Sequence, residues 1–94
     1  MAKPSREVAS IEVRPLELDA EDWMVQVADL LLASKVQGYS YTERATMLVN
    51  ILRLRAHCME PWKDLEAAAR SKLVRQWGDE VVDLMEAREA AGKN

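Results

Sequence analysis

The stretch Tyr41–Met59, YTERATMLVNILRLRAHCM, decides how the rest of the chain is read. It reads as a helix with two apolar rows. One row is Tyr41, Ala45, Leu48, Val49, Leu52, Ala56 and Met59, and the other is Met47, Ile51, Leu54 and Cys58. Steps of three and four residues hold each set on its own side of an α-helix. A surface helix carries one apolar stripe, so a helix with two has to be covered from two sides. The first row is expected to face the chain's own core and the second to face another copy of the chain. The alternation of four and three in 47, 51, 54, 58 suits helix-against-helix packing. Burial of each large side chain contributes about 1.5–3 kcal/mol. The expectation is a homodimer or higher oligomer, with Met47, Ile51, Leu54 and Cys58 as the self-association residues.

The flanking residues punctuate this helix. Ser40 and Glu43 form an S-x-x-E capping box at its start, and Gly38 is placed to end the preceding helix in a left-handed conformation. That preceding helix is predicted from Ala20 to about Val36, with Asp19 as N-cap and Glu21 and Asp22 in its first turn. Trp23, Val27, Leu30 and Leu31 form its main stripe, and its polar strip (Asp22, Gln26, Asp29) is narrow. The central helix is predicted to stop near Glu60, because Pro61 disfavours helix in the residue before it. Pro61 suits the first turn of a last helix running to about Glu89. Trp62, Leu65, Ala69, Leu73, Trp77 and Leu84 share a face of that helix, and Gly78 marks a place where it is expected to kink. Upstream, Ile11 and Val13 alternate with Glu12 and Arg14, which suits an extended segment, while Pro15 restricts any strand there to an edge. The predicted fold is therefore all-α: a three-helix domain with a short extended N-terminal arm and oligomeric helix packing. Residues 1–18 form the arm, 19–90 the domain and 91–94 a frayed tail.

Bulk properties narrow the function. The chain has 94 residues, 49% of them hydrophobic and 31% charged, enough for one small domain. Its net charge is −3 and its pI about 5.1, so this small acidic protein lacks the footprint of a general nucleic-acid binder. The charge is uneven: residues 35–75 hold eight basic and four acidic groups, a net +4 between acidic ends. With one cysteine, Cys58, no intrachain disulfide can form. No apolar run reaches the ~18 residues of a membrane span, and the N-terminus lacks the apolar core of a secretion signal. A cytoplasmic protein with no membrane contact is expected.

The residues suggest no catalytic chemistry. His57 and Cys58 are adjacent and point about 100° apart on a helix, so they do not form a nucleophile–base pair. There is no second His or Cys for a zinc site. The carboxylates Glu21, Asp22, Asp29, Asp79, Glu80 and Asp83 fall in no E-x-x-H pattern or calcium loop. The three glycines are isolated, so no phosphate loop exists. No enzyme activity, cofactor or metal is expected. The candidates for contact with a larger protein partner are Arg44, Arg53 and Arg55, then Arg70, Lys72 and Arg75, with Trp62 and Trp77 as possible anchors. Glu43, Asp64 and Glu66 are the intrachain groups that could instead neutralise these cations. The favoured reading is a regulatory or adaptor-type protein–protein interaction module.

A second reading rests on a resemblance. The succession of Ile11–Leu18, a helix, Gly38-x-Ser40-x-Thr42-Glu43 and an apolar helix resembles the ribbon-helix-helix repressors. The resemblance implies a dimeric DNA-binding regulator whose paired strands enter the major groove. Glu12 and Arg14 or their neighbours would then face bases, and the N-terminus of the central helix, with Ser40 and Thr42, would hold a phosphate. It covers about half of the chain, and Pro15, Glu12, Glu17 and the extra last helix depart from the family's pattern.

Overall fold

In a computed structural model, residues 16–92 are described, and among them the chain forms three packed α-helices and no strand. The helices are α1 (Trp23–Val36), α2 (Tyr41–Cys58) and α3 (Ala67–Gly92). Arg14 and most of the predicted arm lie outside the described residues.

The turn between α1 and α2 is built as its sequence requires. Gly38 has φ +100°, its N–H donates to Lys35 O, and Tyr39 N–H donates to Ser34 O. These two bonds close a Schellman motif that satisfies the last carbonyls of α1. Ser40 then opens α2 with a complete capping box: its hydroxyl accepts from Glu43 N–H, and the Glu43 carboxylate accepts from Ser40 N–H.

Three boundaries differ from expectation. First, α1 starts at Trp23, and Asp22 rather than Asp19 holds the N-cap position. The Asp22 carboxylate accepts from the Gln26 amide instead of from a backbone N–H. Gln26 in turn accepts from Glu17 N–H, which ties residues 16–22 across the first turn and brings Leu16 and Leu18 onto the core. Second, α3 starts at Ala67, six residues after Pro61. Residues 59–66 connect the two helices, with turns over 60–64, Trp62 N–H donating to Met59 O and Leu65 N–H to Trp62 O, around a cis Glu60–Pro61 bond. The Trp62 ring lies over the Arg55 guanidinium of α2. Third, α3 continues past Glu89 to Gly92.

The core has one centre. Trp23, Val27, Ala28 and Leu31 from α1 meet Leu48, Leu52 and Ala56 from α2 and Trp77 and Val81 from α3. The i, i+4 spacing of 23–27–31, 48–52–56 and 77–81 puts each set on one side of its helix. α1 packs most extensively against α3, and two ion pairs, Lys35–Glu89 and Arg88–Asp29, fix that pairing at the far end. α3 passes through Gly78 without a break. A Cβ there would meet Leu52 Cδ1 at 3.6 Å, an ordinary van der Waals distance. Glycine inside a helix costs about 1 kcal/mol relative to alanine. Gly78→Ala is therefore expected to stabilise the fold by about 0.5–1 kcal/mol, read as a raised urea midpoint. A lowered midpoint would show that the α2–α3 spacing has no room for a methyl group.

Candidate functional site

Two features of α2 bear on function: a cation it buries and the two flanks it leaves open. Arg55, placed by the sequence among partner-binding residues, is only 7% exposed. Its guanidinium carbon lies 4.3 Å from the ring centre of Trp23, 4.7 Å from that of Trp62 and 5.8 Å from that of Trp77. The indoles pack edge to face, Trp23 on Trp77 at 4.9 Å and Trp62 on Trp77 at 5.1 Å. These are favourable geometries for aromatic pairs, and a desolvated cation over an indole adds about 2 kcal/mol. Arg55 Nε and Nη1 have no hydrogen-bond partner. Burial pushes the guanidinium below its ordinary pKa, and the nearby Asp19 carboxylate acts in the opposite direction. Arg55 and Trp77 are thus interior groups, and Trp62 is half-buried against them. The sequence signal for this cage is faint: Arg55 falls between Leu52 and Met59 on the inward arc of α2.

The two apolar rows of α2 are redistributed. The inward side consists of Leu48, Leu52, Arg55 and Ala56, with Ile51 partly buried against the same core. Tyr41 and Val49, expected inside, are exposed at 77% and 36%. Tyr41 is the first residue of α2 and lies beyond the reach of the packed helices, whereas for Val49 the reason is angular. A row from Leu48 to Val49 is about 100° wide, and the neighbouring helices cover only the Leu48 side of it. On the opposite flank Leu54 is 53% exposed, Cys58 is exposed and Met47 is half-buried. A single subunit therefore leaves apolar surface on both sides of α2.

The candidate cations divide in the same way. Arg53 lies at the outer edge of α2 and, with Arg70 and Arg75 of α3, lines an open groove that also includes Val49, Ser71 and Val74. Beyond Val49 an open surface formed by α2 alone continues past Ala45 to Tyr41. Arg44 donates to Tyr39 O and stacks over Tyr41, and Lys72 is exposed outside the groove. The ion pairs among the described residues are Lys35–Glu89, Arg88–Asp29 and Lys63–Glu60, and none of them involves Arg44, Arg53, Arg70, Lys72 or Arg75. Thr42 is exposed at the start of α2, while Ser40 is engaged in the capping box. That box sets the Glu43 carboxylate at the helix N-terminus, the position the repressor resemblance assigns to a phosphate. No helix among the described residues is long and apolar enough to cross a membrane. No protein-family model, curated protein or solved structure matches the chain.

Proposed function

We propose that the protein is a non-catalytic interaction module that pairs with a second copy through one flank of α2 and presents its other surfaces to a larger protein. The observation that carries this reading is the exposure of Leu54, at 53%, in line with exposed Cys58 and half-buried Met47 and Ile51. These residues keep the four-three spacing that packs one helix against another. A two-fold axis along the row buries each side chain twice, once per subunit, and an isologous contact of this kind closes on itself. Burial of a large apolar side chain is worth about 1.5–3 kcal/mol, so even partial burial of the row on both subunits favours association. The three-helix core stands behind this flank and holds α2 rigid, which lowers the entropy cost of docking.

Sedimentation equilibrium tests the reading. The wild-type chain is expected to sediment as a dimer. Leu54→Glu puts two buried carboxylates into the contact and is expected to leave a folded single subunit, because Leu54 makes little contribution to the core. A wild-type chain that sediments as a single subunit at concentrations far above those of other helical dimers would overturn the proposal.

A further inference from the structure

We propose that the groove between α2 and the start of α3 binds an acidic amphipathic helix of a partner protein. This rests on the reading of the chain as an interaction module and names the class of partner. Along α2, Tyr41, Ala45, Val49 and Arg53 stand at steps of four and form one ridge, about 18 Å long at 1.5 Å per residue. Beside its Arg53 end, Val74, Arg70 and Arg75 of α3 form the facing wall. The surface thus mixes the apolar side chains of Tyr41, Ala45, Val49 and Val74 with small polar ones, and three arginines line its α3 end. No carboxylate lines it, and none of the three arginines takes part in an ion pair among the described residues. Arg70 is held in place by its Nη2 donating to Leu65 O at 2.6 Å, and its buried Nε has no partner.

The occupant follows from this chemistry. A partner helix lays residues at i, i+3, i+4 and i+7 into a groove, and here they would pack beside the Tyr41–Ala45–Val49 strip. The arginine fork pairs with carboxylates in a planar, two-bond geometry, so the fitting helix carries Asp or Glu beside its apolar stripe. The groove is open, which suits a segment lying across it better than an enclosed small molecule. The apolar side chains beside the arginines favour a helical peptide, which has an apolar stripe to bury, over a sugar–phosphate backbone, which has none. Val49 and Leu54 point about 140° apart on the helix, so the groove stays open when the other flank is covered.

The experiment is fluorescence anisotropy on the full chain with a labelled synthetic helix that carries leucines at i, i+3, i+4 and i+7 and glutamates beside them. Its controls are the same peptide with glutamine for glutamate and a mixed-sequence DNA duplex. Saturable binding is expected, weakened at least about tenfold, or roughly 1.4 kcal/mol, by the glutamine peptide and equally by Arg53→Glu or Arg75→Glu. Lys72→Glu, an exposed charge reversal outside the groove, is expected to change affinity by less than about twofold. Circular dichroism checks that each variant is folded. Absence of saturable binding, an equal loss from Lys72→Glu, or tighter binding of the DNA through Arg53 would each overturn the proposal. Sedimentation separates this from the wider reading: a dimer that ignores the peptide refutes the groove alone, and a single subunit that binds it refutes the self-association alone.

Discussion

Replacing Trp77 by alanine is expected to remove most of the stability of the fold. Trp77 is 5% exposed and makes edge-to-face contacts with both Trp23 and Trp62. Truncating a buried tryptophan costs about 3–5 kcal/mol through lost transfer energy and the cavity left behind. The two aromatic contacts add about 0.5–1.5 kcal/mol each. A domain of this size is stable by roughly 5–10 kcal/mol in all. The effect extends beyond α3. Trp62 lies in the turns before α3 and Trp23 in the first turn of α1, so loss of the shared ring frees both ends. Thermal denaturation followed by circular dichroism is expected to show a chain that is largely unfolded at room temperature or melts far below the wild type. A variant within about 1 kcal/mol of the wild type would mean that the indole cluster does not centre the core.

The second large effect is expected at Arg55, where two substitutions give opposite answers. Arg55→Ala is expected to cost about 3 kcal/mol, because it empties the space between three indoles. Arg55→Met fills that space with an unbranched apolar chain and is expected to fall within about 1 kcal/mol of the wild type. The cation gains about 2 kcal/mol from the indole faces but forgoes hydrogen bonds at Nε and Nη1, and burial disfavours its charged form. A base whose pKa falls on folding is a cost at every pH where it stays charged, so acidification is not expected to relieve it. The Asp19 carboxylate offsets part of the cost. Urea midpoints of the two variants decide between charge and bulk. If methionine is as damaging as alanine, the cation itself holds the indoles together.

Local punctuation was legible in the sequence where a short-range rule has a short-range partner. The Gly38 turn and the Ser40–Glu43 box are each closed by hydrogen bonds within five residues, and both formed as read. Three helices in this order were also legible, since 23–27–31, 48–52–56 and 77–81 carry the helical period. The start of α3 was not. Pro61 is acceptable both at the first position of a helix and in a turn, and the choice depends on Trp62 reaching Arg55 across the chain. In the sequence Arg55 reads as a surface cation, because only the assembled indoles make its burial tolerable. On α2 the apolar rows were visible, but which edge the neighbours cover depends on how wide a face two helices can reach. Val49 therefore lies at the surface, and Tyr41 does so because it is the first residue of the helix. The arginine groove needed the fold as well, since Arg53 and Arg70 come together only when α2 and α3 pack. Its one sequence trace is the four-residue step from Tyr41 to Arg53.

Cys58 offers the most direct test of the claim that a second copy covers the outer flank of α2. It is the only thiol in the chain, it is exposed in a single subunit, and it ends the row that begins at Met47. The measurement is the rate of its reaction with a small neutral thiol reagent, taken from high dilution to concentrations at which the wild type is fully associated. The rate is expected to fall about tenfold, the signature of a contact that closes over the thiol with roughly 1.4 kcal/mol of protection, while folded Leu54→Glu reacts at the fast rate throughout. A wild-type rate that stays constant across the whole range would contradict the account.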